Sequence, residues 1–136
     1  MYEDKVSILG ICLGMQILGT LGYESRETKG LDLIPGSIES LKMNKCDLLL
    51  PHVGWNEVCY IDSSPIFNKI PNNSDFYFVH SYIFKEKDKK DIAATTNYKI
   101  KFSSAIQKEN VWGVQFHPEK SSLAGKQLLR NYINFS

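Results

Sequence analysis

The segment Gly10-Ile11-Cys12-Leu13-Gly14 lies between a short apolar run at residues 6–11 and a stretch with helical spacing at residues 15–21. This pattern predicts a strand, a sharp turn carrying Cys12, and a helix. The glycines relieve crowding at the turn, and the free N–H groups at the helix start favour a thiolate and a nascent oxyanion. We therefore expect Cys12 to be a nucleophile and the Leu13 N–H to be an oxyanion donor. A structural core cysteine would fit the same five residues, so the motif alone leaves both interpretations open.

The remaining periodicity predicts one mixed α/β domain over the 136 residues, a length that suits a single domain. A short capped helix is expected at 64–70 and an amphipathic helix at 123–133. A hairpin turn is expected at 108–110. Further strands are predicted at residues 38–43, 48–50, 57–61, 75–84, 92–96, 103–107 and 111–116.

Composition excludes several classes of protein. The formal net charge is +1, with 16 basic and 15 acidic residues, which gives no field that would recruit nucleic acid or an anionic membrane. No apolar run approaches the roughly 20 residues that span a bilayer, and the first residues do not have the layout of a signal peptide, so we expect a cytoplasmic protein. Cys12, Cys46 and Cys59 have no zinc-site spacing, and no phosphate loop or dinucleotide fingerprint is present, so no metal or cofactor is expected.

The segment His117-Pro118-Glu119 supplies the other groups that a thiol nucleophile needs. A base must take the thiol proton, and a third group must orient that base. The segment follows the predicted strand at 111–116, so His117 would stand at the carboxyl end of a strand, where open α/β sheets hold their sites. A histidine near an aromatic strand end is commonly structural, and that alternative stays open for His117 taken alone.

The two motifs together resemble the class I glutamine amidotransferases, a family with a Cys-His-Glu triad. Residues 10–16, GICLGMQ, match its G-x-C-x-G-x-Q signature, and residues 116–119, FHPE, match its second signature. The resemblance covers nearly the whole chain. It implies an α/β, three-layer, flavodoxin-like fold and a reaction in which Cys12 attacks the side-chain amide of glutamine. His117 would move the proton and Glu119 would orient the imidazole, giving glutamate and ammonia through a thioester without a cofactor.

Within that family, residues 51–56 (PHVGWN), 78–82 (FVHSY) and 118–122 (PEKSS) resemble the HisH glutaminase subunits of imidazole glycerol phosphate synthase. This resemblance implies that ammonia passes to a HisF cyclase subunit in a heterodimer, which makes imidazole glycerol phosphate and AICAR in histidine biosynthesis. The positions that would hold glutamine are Leu13, Gln16, Ser81 and Tyr82. The positions that would contact HisF are Trp55, Tyr77 and Lys120, although two core aromatics and a solvated lysine would be the commoner interpretation.

The chain departs from the family pattern before the cysteine. Only 11 residues precede Cys12, whereas family members carry several β/α units there, with a glycine-rich loop that donates a second oxyanion N–H. We therefore expect residues 1–136 to be the C-terminal two-thirds of an amidotransferase domain that lacks its first β/α units. One oxyanion donor is worth about 2.7–4 kcal/mol, so such a chain would be poorly active and perturbed in stability.

Two other hypotheses stay open. The chain could supply ammonia to a HisF-like partner that amidates a surface sugar, or it could be a truncated, non-catalytic remnant that only binds a cyclase. Intact Cys12, His117 and Glu119 argue against long-standing loss of chemistry, although a recent truncation would leave them in place.

Overall fold

The computed structural model describes residues 6–24, 26–42, 50–61 and 64–135. Cys46 and most of the strand predicted at 48–50 lie outside these ranges. The described helices are α1 (Leu13–Ile17) and α2 (Ser122–Phe135), with single 3-10 turns at Pro65–Phe67, Lys89–Asp91 and Pro118–Lys120. The described strands are β1 (Ile8–Ile11), β2 (Leu21–Gly22), β3 (Thr28–Lys29), β4 (Gly36–Ser40), β5 (His52–Tyr60), β6 (Ser74–His80), β7 (Tyr82–Glu86), β8 (Ile92–Tyr98), β9 (Ile100–Lys108) and β10 (Val111–Val114).

These strands form one branched, mostly antiparallel sheet. β1 lies parallel to β10, with Ile11 opposite Val114, and β10 forms a hairpin with β9. β9 also pairs with β8 along its length and with β7 at Ser103. The sheet therefore branches at β9, and the branch that ends in β1 carries Cys12.

The side chains of β10 pack alternately into two hydrophobic clusters, one beneath each helix. Val111 belongs to the cluster of Met15 in α1, whereas Trp112 and Val114 belong to the cluster of Leu128 in α2. Because successive strand residues face opposite sides of a sheet, the two helices cover opposite faces. The result is the expected three-layer order of helix, sheet and helix.

Three predicted boundaries are wrong for identifiable reasons. The helix predicted at 15–21 ends at Ile17, because Leu21 and Gly22 pair with β4 instead of continuing the helix. The run predicted as one strand at 75–84 is two strands, since β6 pairs with β5 whereas β7 pairs with β4. β5 begins at His52, five residues before the predicted start, and passes through Gly54 at a φ of 128°.

Other elements agree with the sequence patterns. The β9–β10 hairpin turns at Glu109 and Asn110 as expected, and α2 covers the whole amphipathic segment. The capped helix predicted at 64–70 is wrong, because the structure has only one 3-10 turn at Pro65–Phe67 and the preceding Ser64 makes no side-chain cap bond. Of the helices in the described ranges, none is long and apolar enough to cross a membrane.

Candidate active site

Cys12 occupies a strained turn between β1 and α1. Its φ of 54° and ψ of −105° lie outside the regions that residues with a side chain normally adopt. Its N–H donates to the Val114 carbonyl at 2.8 Å, and its carbonyl accepts the Gln16 N–H at 3.2 Å. The backbone on both sides of the cysteine is therefore anchored, as the predicted nucleophile turn requires.

The two flanking glycines differ in their structural role. A Cβ placed on Gly10 would lie 2.5 Å from the Gly14 carbonyl oxygen, so this position does require a glycine. A Cβ placed on Gly14 would meet nothing within 4 Å in the described part of the chain. The crowding expected on both sides of Cys12 is present only on the strand side.

The Cys12 thiol is partly buried between the ends of β6 and β10. Its Sγ lies 3.8 Å from the Val79 carbonyl oxygen, to which it donates, and 3.8 Å from Nε2 of Gln115. Burial raises the pKa of Cys12, although hydrogen bonds from the Leu13 N–H and Gln115 act in the opposite direction. The helix start was predicted to favour the thiolate, and the Leu13 N–H does lower the pKa of Cys12. The effect of burial on that pKa is larger and has the opposite sign. The resting sulfur is therefore a thiol that needs a base.

His117 and Glu119 form a close pair just beyond β10. Nδ1 of His117 lies 2.8 Å from Oε2 of Glu119. Because an ionised carboxylate only accepts hydrogen bonds, Nδ1 must carry the proton, which leaves the lone pair of the neutral ring on Nε2. The charge of Glu119 raises the pKa of Cys12 and that of Lys120 lowers it, so this turn and the thiol lie within electrostatic reach of each other. The structure thus brings Cys12, His117 and Glu119 to one edge of the sheet.

The turn that carries His117 is held from beneath by Ser121 and α2. Ser121 is 1% exposed, and its hydroxyl donates to the His117 carbonyl while accepting the Tyr77 N–H at 2.9 Å. The His117 N–H donates in turn to the Tyr77 carbonyl at 2.9 Å. A Cβ on Gly125 would overlap the Pro118 carbonyl oxygen, so α2 packs directly against the turn. These contacts fix the backbone of the base.

The residues expected to hold glutamine lie on α1 and where β6 passes into β7. Nε2 of Gln16 donates to the Tyr82 carbonyl at 3.4 Å and to Oε1 of Gln115 at 3.5 Å. Ser81 lies in the bend between β6 and β7, where its carbonyl accepts the Leu41 N–H. Gln16 and Leu13 also line a groove along α1. Gln16 therefore contacts Tyr82 directly and Cys12 through Gln115, and Ser81 lies next to Tyr82 in the chain.

A buried histidine pair continues this network. The Tyr82 carbonyl accepts a hydrogen bond from Nδ1 of His80 at 2.9 Å, so Nε2 of His80 must accept from Nδ1 of His52, also at 2.9 Å. Nε2 of His52 then accepts from the side-chain amide of Asn56 at 3.2 Å. Both rings are under 7% exposed, and burial lowers the pKa of each to about 4. Every ring nitrogen is used when both histidines are neutral.

The residues predicted to contact a partner lie beside the turn that carries His117 and Glu119. Trp55 is 54% exposed and meets Tyr77 edge to face, with ring centroids 5.9 Å apart. The main chain of Tyr77 bonds both His117 and Ser121, and Lys120 is exposed on the same turn. The interpretation of Trp55 as a plain core aromatic is wrong, since more than half of it is open to solvent.

Sequence reasoning missed two residues that touch this site, Gln115 and Ser121. Gln115 lies two positions before His117, so the alternation of a strand could have placed both side chains on one side. Ser121 lies in the segment 118–122, but no sequence pattern reveals its role. In the described ranges, no group of three His, Cys, Asp or Glu residues could hold a metal ion.

Comparison with known proteins agrees with this geometry. The family model for glutamine amidotransferase class-I matches residues 1–134. The HisH subunit of imidazole glycerol phosphate synthase from Pelagibacter ubique is 45% identical over 131 residues, which is 96% of this chain and 63% of that protein. The HisH subunit from Buchnera aphidicola is 50% identical over 131 residues, which is 96% of this chain and 65% of that protein. The chain thus spans less than two-thirds of the length of these curated relatives.

Solved structures show the same fold at low sequence identity. PurLQS from Thermotoga maritima aligns with a TM-score of 0.71 at 17% identity, over 98% of this chain and 63% of that one. A glutamine amidotransferase from Thermotoga maritima aligns with a TM-score of 0.61 at 18% identity, over 98% of this chain and 49% of that one. With the family model matching almost every residue and Cys12, His117 and Glu119 at one edge of the sheet, the chain belongs to the class I glutamine amidotransferase family.

Proposed function

We propose that this chain carries the glutaminase chemistry of an amidotransferase. The observation that carries the proposal is the placement of the strained Cys12 turn against β10, which ends at the paired His117 and Glu119. The family match and the two HisH relatives support the choice of glutamine as substrate. Leu13, Gln16, Ser81 and Tyr82 are proposed to hold it.

The first step is attack by sulfur on the side-chain amide carbon of glutamine. Because burial keeps Cys12 protonated, Nε2 of His117 takes the thiol proton as the S–C bond forms. The Leu13 N–H stabilises the negative oxygen of the tetrahedral intermediate. The C–N bond then breaks, and His117 returns its proton to the leaving nitrogen, which departs as ammonia.

The second step is hydrolysis of the thioester. Water attacks the acyl carbon while Nε2 of His117 takes its proton, and the C–S bond breaks to give glutamate. The sulfur regains the proton from His117. Throughout, Glu119 holds Nδ1–H at 2.8 Å, which fixes the tautomer and stabilises the transient imidazolium. Gln16 already uses its NH2 group on two protein oxygens, so its Oε1 is the end proposed to accept an N–H from glutamine.

Glutamate release from glutamine by the purified chain tests this mechanism. Cys12→Ala should abolish release, whereas Cys59→Ala, which removes an exposed thiol, should leave it unchanged. Release that survives Cys12→Ala, or a folded chain that releases none with a cyclase partner present, would contradict the proposal.

We further propose that ammonia passes to a HisF-type cyclase in a cytoplasmic heterodimer that makes imidazole glycerol phosphate and AICAR. Trp55 is exposed and contacts Tyr77, whose main chain bonds His117, and Lys120 is exposed on the same turn as Glu119. The names of the relatives support a synthase partner. Aromatic anchors at the centre of an interface are commonly worth 2 kcal/mol or more, so Trp55→Ala should weaken binding about 30-fold.

Titration calorimetry with a HisF protein measures this loss. Ile133→Ala is the matched control, because it truncates an exposed apolar residue that lies on α2 and not on β5. If Trp55→Ala bound HisF as tightly as Ile133→Ala does, the interface would lie elsewhere. Binding only to a sugar-modifying HisF-like protein would assign the chain to surface-sugar amidation and not to histidine biosynthesis.

A further inference from the structure

Gln115 is a buried polar side chain beside the thiol for which the proposed reaction has no use. It is fully buried, and its main-chain N–H donates to the Ser104 carbonyl at 2.8 Å, which extends the β9–β10 hairpin. Any residue other than proline would make that main-chain bond, and an apolar side chain would suit a buried site. The side-chain amide therefore needs an explanation of its own.

The register of the sheet explains its position. β1 and β10 are parallel with Ile11 opposite Val114, and the Cys12 N–H bonds the Val114 carbonyl. Continuing this register by one residue places Gln115 beside Cys12. Their contact is therefore set by the strands, and it joins residues 103 positions apart in the chain.

The orientation of the Gln115 amide follows from its neighbours. Nε2 of Gln16 donates to the Tyr82 carbonyl oxygen, which can only accept, so this atom is a nitrogen. The Gln115 atom that faces it at 3.5 Å must then be the acceptor, Oε1. Nε2 of Gln115 consequently faces Sγ of Cys12 at 3.8 Å as a donor. The Cys12 S–H itself points to the Val79 carbonyl, which leaves the sulfur lone pairs to accept.

We propose that Gln115 is a positioning residue that donates to the Cys12 sulfur through Nε2 and fixes the rotamer of Gln16 through Oε1. Both contacts are long in the free chain. The contact to sulfur tightens when the sulfur becomes charged, because a thiolate is the stronger acceptor. The S–H to Val79 contact is lost on ionisation, whereas the Gln115 contact strengthens. Gln115 thus favours the thiolate and couples it to the residue proposed to hold glutamine, a role that rests on the proposed amidotransferase chemistry.

The pH dependence of Cys12 alkylation by iodoacetamide tests this role. Peptide-resolved mass spectrometry follows Cys12 and the exposed Cys59 in the same sample. A change in the access of iodoacetamide to Cys12 multiplies the alkylation rate by the same factor at every pH. A change in the thiolate fraction moves the midpoint of the pH profile, so the two effects can be distinguished. Gln115→Met removes the donor at similar length, and Gln115→Glu keeps the shape but replaces the NH2 with an oxygen. Gln107→Met is the matched control, since that amide contacts Ser64 and Glu109 instead.

The expected result is an upward shift of the Cys12 midpoint by about one pH unit in Gln115→Met, with about tenfold slower alkylation at pH 7.5. Gln115→Glu should shift it further, because a carboxylate repels the thiolate. Cys59 and the Gln107→Met profile should not move. An unmoved Cys12 midpoint in either folded Gln115 variant would overturn the proposal, and so would failure of both to fold, since Gln115 would then act through the fold. Alkylation needs no glutamine, so a chain without glutaminase activity still gives this answer.

Discussion

The two halves of the candidate site are held in different ways. The base half, formed by His117 and Glu119, rests on Ser121 and on a fourteen-residue helix that touches the turn at Gly125. The nucleophile half is carried by β1 and a five-residue helix whose Leu13 is 61% exposed. α1 has one fully buried side chain of its own, Met15. The base half is therefore held by hydrogen bonds and by the packing of a long helix, whereas the strained Cys12 turn is held mainly by main-chain hydrogen bonds.

This difference indicates where each half is sensitive. Substitutions in α2 where it packs against the His117 turn should change the free energy of unfolding. Substitutions of Glu119 should change the rate of glutamate release. Substitutions on the open side of Cys12 should have little effect on the free energy of unfolding. Four substitutions test that contrast.

Glu119→Gln should lower the kcat of glutamate release by about 100- to 10,000-fold. An amide cannot stabilise the imidazolium, and its NH2 group can hold Nδ1 in the wrong tautomer. Because Glu119 is half exposed, the free energy of unfolding should change little. Steady-state kinetics and urea unfolding measure the two quantities. Glu109→Gln, at the other end of β10, is the control, and activity within twofold of the parent chain would refute the role of Glu119.

Gly125→Ala should destabilise the chain by about 3 kcal/mol, the upper end of the usual overpacking range. The new Cβ would overlap the Pro118 carbonyl, and neither backbone can move without disturbing the other. At a solvent-exposed position within a helix, a change from glycine to alanine stabilises by up to about 1 kcal/mol. The sign of the change in the free energy of unfolding therefore distinguishes a packed from an exposed Gly125. Urea unfolding measures it, and a more stable variant would show that α2 does not press on the turn.

The buried His52–His80 pair, which contacts the Tyr82 carbonyl, predicts acid sensitivity. The folded pKa values are lowered to about 4 from 6.5, so the unfolded chain binds more protons between these limits. This contribution is fully present above pH 6.5 and is lost as the pH falls toward 4, by up to about 1.4 kcal/mol per pH unit for each histidine. Urea unfolding from pH 7.5 to 4.5 measures the slope. His80→Asn should flatten it, and an unchanged slope would mean that carboxylates cause the acid loss.

Gly14→Ala should change the free energy of unfolding by less than about 1 kcal/mol, with stabilisation as the expected sign. A Cβ there meets nothing within 4 Å in the described ranges. It is also the counterpart of Gly125→Ala, since the same atom is added beside each half of the site. A loss above 2 kcal/mol in urea unfolding would show that the open side of α1 is not open in solution.

Much of this organisation could be predicted because it is encoded locally. The glycines around Cys12, the hairpin at 108–110 and the spacing of α2 each depend on neighbouring residues. The two signature motifs predicted that Cys12, His117 and Glu119 belong to one site. The break at Ser81 could not be predicted, since β6 and β7 separate only through their different partners. Gln115 was missed because its contact with Cys12 depends on the β1–β10 register, which no local pattern shows. The lowered pKa values of His52 and His80 arise from burial that only the folded sheet creates.

The pairing of β1 with β10 also sets an order of events during synthesis. The ribosome makes Cys12 and β1 first, and Val114 and Gln115 follow about a hundred residues later. At 5–20 residues per second the interval is about 5–20 s, during which β1 lacks the strand it pairs with in the described fold. Throughout that time the Cys12 thiol has no His117 beside it and is open to oxidants. The unpaired β1 is open to wrong strand partners. Cys12 therefore gains its contacts with Val114 and Gln115 only after β10 has been made.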